Sequence, residues 1–260
     1  GFNAAGAVDL SRLPTIQASD PDGLAFVDGY TGRIVHLRLT QSSGSVVVTV
    51  GNASPSIYDA TIVLPTGRPA KSVGVLLNGA SGKPVIAESR IVAASSTAAD
   101  FVDAVGVEES PTSGAPELVI RGASIAIGSC AGSCAAVTVA ASWAATVEDG
   151  AISVAADTAT GIGVAAGAAV SVRRNTVSAS ATIGAGVAVR VDGAASTAID
   201  DNEGLYSNGP IAYALHLIDD AATSITGNGY ISASTDADEA AGIYLERSTG
   251  ARIVGNDGIY

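Results

Sequence analysis

The sequence predicts an all-β protein folded as a parallel β-helix, in which short strands stack coil upon coil. Two recurring signals along its 260 residues support this prediction. The first is a pair of aliphatic residues flanking one variable position, which returns at intervals of 25 to 32 residues. Such alternation is typical of a strand with one buried face. The pairs are Val48/Val50, Val75/Leu77, Val105/Val107, Val137/Val139, Ile162/Val164, Val189/Val191, Leu215/Leu217 and Ile243/Leu245.

The second signal is one aliphatic residue that follows each pair, which we expect to form a second inward column. In the last five coils it stands eight residues after the pair, and earlier the separation is wider. The widest separation carries the polar loop Glu108–Pro116, and insertions in solenoids often lie on a binding face. The residues are Ile62, Ile91, Ile125, Val147, Val172, Ile199, Ile225 and Ile253.

The composition suits thin, regular layers. Hydrophobic residues make up 47% of the chain, only 4% is aromatic, and methionine is absent. The core must therefore consist of small aliphatic side chains, which can stack like upon like at about 4.8 Å per coil. We expect eight to nine coils over residues 42–260 and a partial coil or cap at residues 1–41, in which Ile34–Thr40 forms a strand. We also expect the coils to continue beyond residue 260 in a longer chain.

Asparagine stands three residues after the second-column residue in each of the last four coils. Asparagine tolerates a left-handed backbone, and its amide can bond to the same amide in the next coil. We expect a ladder at this corner, and the alternative is four ordinary turn asparagines. The residues are Asn175, Asn202, Asn228 and Asn256.

The pattern G-I-x-L-x-x-S-x-x-x-x-I-x-x-N-x-x-I spans Gly242–Ile259 and recurs more loosely in the three preceding coils. It resembles the right-handed parallel β-helix repeat proteins of the pectate-lyase-like superfold over about the last 100 residues. That superfold includes lyases, glycoside hydrolases, phage tailspikes and surface fibres, so function has to be argued from sites. Of the motifs that the resemblance implies for polygalacturonase-like enzymes, only Asp-Asp is present, as Asp200-Asp201 and Asp219-Asp220. We therefore expect no catalytic residues and a non-catalytic surface or fibre type.

The net charge of −12 argues against nucleic acid and anionic membrane surfaces as partners. No apolar run of 18 residues or more is present to span a bilayer. Cys130 and Cys134 lie in GSCAGSC, where we expect a small disulfide and hence an oxidising compartment, with free thiols as the alternative.

One set of outward residues is a candidate ligand-binding site. Arg190, His216 and Tyr244 occupy equivalent positions in successive coils, about 5 Å apart, with Asp219 and Glu246 near the strand ends. Arginine, carboxylates and an aromatic ring could recognise a carbohydrate, and two carboxylates could act as acid and base. The alternative is a solvated sheet face with varied polar residues.

Two further features admit two interpretations each. We expect no cofactor, although oxygen ligands at Asp20 and Asp22, and at Asp236, Asp238 and Glu239, could bind calcium; the alternative is acidic turns without metal. Trp143 could contact a sugar or plug a corner of small residues.

These features predict a secreted or surface-displayed structural or adhesive β-helix, assembled into filaments by stacking of open ends. Its partners would be further copies, other surface proteins or a neutral polysaccharide. The alternative is a β-helix that binds or cleaves carbohydrate.

Overall fold

A computed structural model describes residues 13–19, 23–27, 29–41, 45–64, 71–79, 82–93, 101–107 and 116–260. These residues form an all-β parallel solenoid built from three parallel sheets. The predicted fold class is therefore confirmed. No helix occurs in this part of the chain, and so none there could cross a membrane.

The described residues form 28 strands, most of them three to eight residues long. They are β1 (Thr15–Ala18), β2 (Leu24–Phe26), β3 (Arg33–Val35), β4 (Arg38–Gln41), β5 (Val46–Val50), β6 (Ser56–Tyr58), β7 (Thr61–Val63), β8 (Lys71–Leu77), β9 (Val85–Ala87), β10 (Arg90–Ala93), β11 (Phe101–Val107), β12 (Glu117–Arg121), β13 (Ser124–Ile127), β14 (Ser133–Val139), β15 (Ala144–Glu148), β16 (Ala151–Ala156), β17 (Thr158–Val164), β18 (Ala169–Arg173), β19 (Thr176–Ala181), β20 (Ala185–Asp192), β21 (Ser196–Asp200), β22 (Gly204–Asn208), β23 (Ile211–Ile218), β24 (Thr223–Thr226), β25 (Tyr230–Ser234), β26 (Glu239–Glu246), β27 (Arg252–Val254) and β28 (Gly258–Ile259).

Every third strand belongs to the same sheet. Sheet 1 runs from β2 to β26, sheet 2 from β3 to β27 and sheet 3 from β1 to β28. One rung of the solenoid is therefore a strand of sheet 1, then one of sheet 2, then one of sheet 3, beginning with β2–β3–β4 and ending with β26–β27–β28. Neighbouring rungs pair in parallel, which places them about 4.8 Å apart.

The aliphatic pairs stack in the predicted register along sheet 1. Val48 pairs with Val75, and the column continues without a shift through Val189, Leu215 and Ile243. Leu215 and Val189 are fully buried. A single rung cannot bury its apolar residues alone, so like residues on successive rungs form one continuous core.

The predicted second column was wrong for its first three members. Ile62, Ile91 and Ile125 pair with one another in sheet 3, whereas Val147 and its successors lie in sheet 2. Both sheets carry an inward aliphatic residue in each rung, and counting forward from the pair selected the wrong one. The residues that continue the sheet 2 column towards the N-terminus are Ile120, Ile86, Ile57 and Ile34.

With the sheet 2 column assigned in this way, the connections between sheets 1 and 2 are shorter than predicted. Ile57 follows Val50 by 7 positions (57 − 50), so the first coil has no extra residues at this corner. A long connection remains only between Val107 and Ile120, and residues 108–115 of the predicted loop Glu108–Pro116 lie outside the described residues.

The described part of residues 1–41 supplies strands to all three sheets. Strands β2, β3 and β4 pair with β5, β6 and β7 in the register of the later rungs. The predicted strand Ile34–Thr40 is instead two strands, β3 and β4, separated by a corner at His36 with φ of 55°. The alternation in IVHLRLT continues across the corner, and sequence alone does not reveal the break.

A bend interrupts each strand of sheet 1 from β5 to β26. In β23 the pairing passes from Tyr213 to Leu215 and omits Ala214, so that two consecutive residues, Ala214 and Leu215, face inward. A Cβ at the equivalent Gly74 would lie 2.5 Å from the carbonyl oxygen of Ala104 on the next rung. Val47 occupies this position on the second rung, and from the third rung onward the bend carries a small residue: Gly74, Ala104, Ala136, Gly161, Ala188, Ala214 and Gly242.

One residue in the left-handed conformation turns the chain from sheet 2 into sheet 3 in every rung. We expected asparagine to adopt it, and this was wrong: the left-handed residue directly precedes each asparagine. The backbone amide of the left-handed residue donates to a carbonyl on the next rung, as Asp149 N does to Arg173 O at 3.2 Å. The left-handed residues are His36, Asp59, Glu88, Gly122, Asp149, Arg174, Asp201, Gly227 and Gly255.

The four asparagines point into the solenoid and form a ladder of amides. Asn175 Nδ2 donates to Asn202 Oδ1 at 3.2 Å, and the next two steps, to Asn228 and Asn256, are both 2.8 Å. The oxygens of Asn202, Asn228 and Asn256 also accept the backbone amide of the asparagine one rung earlier, for example Asn175 N to Asn202 Oδ1 at 2.9 Å. The oxygen of Asn175 accepts the amide of Gly150 at 2.9 Å. The second amide hydrogen caps a buried carbonyl, that of Val172 for Asn202 at 3.0 Å.

We expect Asn202→Ala to lower the free energy of unfolding by about 2–3 kcal/mol, because it leaves the buried Asn175 amide and Val172 carbonyl without partners. Urea unfolding measures the change. Asn208→Ala is the control, since the side chain of Asn208 is exposed and its amide donates to Ser234 on the surface. Equal effects of the two substitutions would contradict a stabilising ladder.

Candidate functional site

The predicted ligand-binding residues meet on the outer face of sheet 1, near its last strands. Arg190 on β20 pairs with His216 on β23, which pairs with Tyr244 on β26. Their neighbours on either side point into the core, so these three side chains point outward. With Tyr213 and Glu246, described below, they form what we call the sheet 1 cluster.

Tyr213 belongs to this cluster and was missed by the sequence analysis. Its ring stacks on Tyr244 at 4.7 Å between centroids and 11° between planes, and it lies 4.9 Å from His216. Strict alternation from Leu215 would turn Tyr213 inward. The bend at Ala214 reverses that phase, and a small residue recurring at this position was the only signal for it in the sequence.

Arginines hold the carboxylates around the cluster. Arg190 bonds to Asp192 two residues along its own strand, with Nε 2.9 Å from Oδ2. Arg247 bonds to both oxygens of Asp219, at 2.7 and 2.9 Å, and also to Glu246. These ion pairs are exposed and contribute little to stability, but they fix the positions of the charges.

His216 is the buried centre of the cluster. Only 8% of its surface is exposed, and Nε2 has no hydrogen-bond partner although Glu246 Oε2 lies 3.4 Å away. Burial lowers the pKa of His216, and the positive charge of Arg190 acts in the same direction, against the carboxylates of Glu246 and Asp192. The imidazole is therefore neutral at pH 7.

The cluster lacks a carboxyl group suited to donating a proton. Hydrogen bonds from Arg247 hold the pKa values of Glu246 and Asp219 below their usual range, so both are ionised at neutral pH. Burial and the nearby Glu239 raise the pKa of Tyr213 to about 12. An efficient general acid has a pKa near the working pH. The carboxyl groups are already ionised there, and Tyr213 holds its proton too tightly, so this arrangement suits binding more than glycosidic bond cleavage.

Asp103 is a carboxyl group with a raised pKa, and no pattern in the sequence indicated it. Burial raises its pKa, against a 3.1 Å hydrogen bond from Thr138 and the charge of Lys71, which lies 3.9 Å away. Asp103 lies on β11, four rungs before His216 on β23, which is about 19 Å along the solenoid. It therefore cannot act together with His216.

The structure also describes the two cysteines, Trp143 and Asp220. Cys130 and Cys134 form a buried disulfide with Cα atoms 6.5 Å apart. Trp143 is only 2% exposed, and so of its two interpretations the corner plug applies. Asp220 is buried and accepts the amide of Thr223 at 3.0 Å, which is a turn role.

Asp236, Asp238 and Glu239 lie at an exposed bend and at the start of β26. Asp20 and Asp22 lie outside the described residues. Within the part of the chain that the structure describes, no three side chains of His, Cys, Asp or Glu are grouped to hold a metal ion.

No protein-family model matches the chain, and neither a curated protein nor a solved structure matches it.

We expect the stability of the protein to depend on His216 below about pH 7. The pKa of His216 is lower in the folded state than its unfolded value of about 6.5, so the unfolded chain binds the proton more tightly. Stability from this residue is therefore present above pH 6.5 and is lost as pH falls towards the folded pKa. Urea unfolding at a series of pH values measures it.

The variant His216→Asn should flatten this dependence. The control is His36→Asn, since His36 is the only other histidine and is half-exposed beside Asp59. An unchanged pH profile in His216→Asn would show that the buried imidazole is not the group that titrates.

Proposed function

We propose that this chain is a rigid structural and adhesive rod of a secreted or surface-displayed protein. The supporting observation is the unbroken register from β2–β3–β4 to β26–β27–β28, which gives a stiff column with a continuous aliphatic core. Adjacent rungs contact only each other, so length can grow without altering the core. The disulfide at Cys130 and Cys134 favours an oxidising location.

We infer further that the solenoid is right-handed and of the pectate-lyase-like type. The support is the repeat pattern of the last coils together with the one-residue corner between sheets 2 and 3 and the asparagine stack beside it. Right-handed connection between parallel strands is also the general rule.

For a chain that ends at Tyr260, we propose that the rod associates through its last described rung with a second copy of the chain. This rung leaves inward-column residues uncovered: Leu245, Ile253 and Ile259 are 43%, 39% and 47% exposed. A further rung stacked on them would bury their apolar surface and satisfy the free strand edges.

We expect the 260-residue chain to form end-to-end oligomers whose size rises with concentration, measured by sedimentation velocity and electron microscopy. Ile253→Lys should shift the population to monomers, because a charge would be buried at the junction. The control Ile183→Lys, at a site 72% exposed on the side of the rod, should assemble normally. Monomers of the unaltered chain at all concentrations would refute end stacking.

The non-catalytic role is tested by incubating the chain with neutral and acidic polysaccharides and measuring the release of reducing ends. We expect no release above buffer, because the carboxylates nearest His216 are held ionised by arginine. Release that disappears in His216→Ala would instead assign glycosidic cleavage to the sheet 1 cluster.

A second candidate function is carbohydrate binding at the sheet 1 cluster. The stacked rings of Tyr213 and Tyr244 and the charged pair Arg190–Asp192 favour it, since sugars bind through ring faces and directed polar groups.

Titration calorimetry against neutral oligosaccharides tests this second function. We expect Tyr244→Ala to weaken binding about tenfold, whereas Thr160→Ala, at an outward position two rungs before Tyr213, should not. Equal affinities in both variants would exclude the cluster as the binding site.

A further inference from the structure

The outer face of sheet 3 carries three exposed tyrosines on its last three rungs. Tyr206 on β22, Tyr230 on β25 and Tyr260 directly after β28 are 37%, 55% and 68% exposed. Tyr260 keeps the pairing of the sheet, since its amide donates to Ile231 O at 2.9 Å and its oxygen accepts from Ala233 N at 3.1 Å. All three residues thus have fixed positions on one surface.

Two of the rings lie flat on the sheet. Gly258 faces outward yet is buried, and a Cβ placed there would lie 2.6 Å from Cε2 of Tyr260. Gly204 is buried in the same way, and a Cβ there would overlap the ring of Tyr206. Each ring therefore covers the glycine two residues before it and turns its other face to solvent.

The third ring lies between them. Gly204 pairs with Tyr230, and Tyr230 pairs with Gly258, so Tyr230 occupies the glycine column on the intervening rung. The three rings follow the long axis of the rod on successive rungs. The two flat rings are two rungs apart, about 9–10 Å.

Small uncharged residues surround the rings in the pairing register. Tyr206 pairs with Ser178 and Ser232, and Asn208 pairs with Ser180 and Ser234. The amide of Asn208 donates to Ser234 Oγ at 3.3 Å. These side chains offer hydroxyl and amide groups beside the aromatic row, and the carboxylate of Glu203, next to Gly204, accepts a hydrogen bond from Thr176 at 3.1 Å.

Covering of glycine by an aromatic ring is a known stabilising device in sheets, and it accounts for the placement of Tyr206 and Tyr260. Tyr230 differs from them, because the residue two before it is the ladder residue Asn228 and its glycine neighbours, Gly204 and Gly258, lie on the adjacent rungs. More than half of Tyr230 is exposed, so its ring remains available to a ligand beside the two flat rings.

We propose that this row on sheet 3 binds an extended, uncharged polysaccharide, with sugar rings stacked on the tyrosines. Tyrosine provides a large, rigid contact at low entropic cost, and its ring faces suit the axial C–H groups of a β-linked sugar. The separation of the flat rings is comparable with one disaccharide of an extended β-1,4-linked glycan, so successive units meet equivalent contacts. The charge of −12 disfavours a polyanionic chain.

This inference deepens the adhesive part of the proposed function and rests on it. The surface is separate from the sheet 1 cluster, because the outward residues of sheets 1 and 3 lie on different sides of the solenoid.

The test is co-sedimentation of the chain with microcrystalline cellulose and with chitin at physiological salt. We expect saturable binding to at least one of them, and we expect Tyr230→Ala to raise the dissociation constant about tenfold. Tyr230→Phe should retain binding, since it keeps the ring. The control is Phe101→Ala, which removes an equally exposed ring (55%) from sheet 1.

Three results would overturn the proposal: no binding of the unaltered chain to either solid, equal losses in Tyr230→Ala and Phe101→Ala, or a loss only of self-association in Tyr230→Ala. The last result would make the row an interface between copies. Thermal unfolding of each variant separates a loss of binding from a loss of folding. End-to-end assembly that persists in Tyr230→Ala would show that failure of this inference leaves the structural rod unaffected.

Discussion

The one-residue corner between sheets 2 and 3 is the constraint on which the stacking of the rungs depends. A single left-handed residue fixes the phase between the strand before it and the strand after it, so inward positions coincide from rung to rung. For residues such as Asp149 and Arg174 this conformation costs roughly 1–2 kcal/mol. Amide hydrogen bonds between successive rungs offset that cost, and Gly122, Gly227 and Gly255 largely avoid it.

Inward and outward side chains at this corner stack in opposite ways from rung to rung. Inside, like stacks on like, and the asparagine ladder extends this rule to a polar group because each amide both donates and accepts. Outside, opposite charges alternate, since Arg173 on one rung lies between Glu148 and Asp200 on its neighbours. Like charges stacked about 4.8 Å apart would repel, so alternation along the column favours the observed register over a shifted one.

The sequence was sufficient for the fold because the aliphatic pairs of sheet 1 repeat a local pattern that a strand with one buried face produces. It was insufficient wherever two positions in a rung satisfy the same pattern, as Ile57 and Ile62 do in sheets 2 and 3. Backbone conformation was a second obstacle: the left-handed residue can be His36, Glu88 or Arg174, and no residue type marks it.

The candidate site could likewise be predicted only in part, because the sequence does not reveal where a strand bends. Arg190, His216 and Tyr244 follow from counting rungs, but Tyr213 joins them only because the strand bends at Ala214.

The two aromatic surfaces differ in what their rings contact, and this difference bears on function. In the sheet 1 cluster the rings of Tyr213 and Tyr244 stack on each other and cover His216, so much of their apolar surface is already buried by protein. On sheet 3 the flat rings of Tyr206 and Tyr260 lie over glycine, and 37% and 68% of these residues remain exposed. A free, preorganised ring face gains contact area on binding without first losing a contact. Because outward positions of a solenoid do not enter the core, such a row can be altered while the columns beneath it remain unchanged.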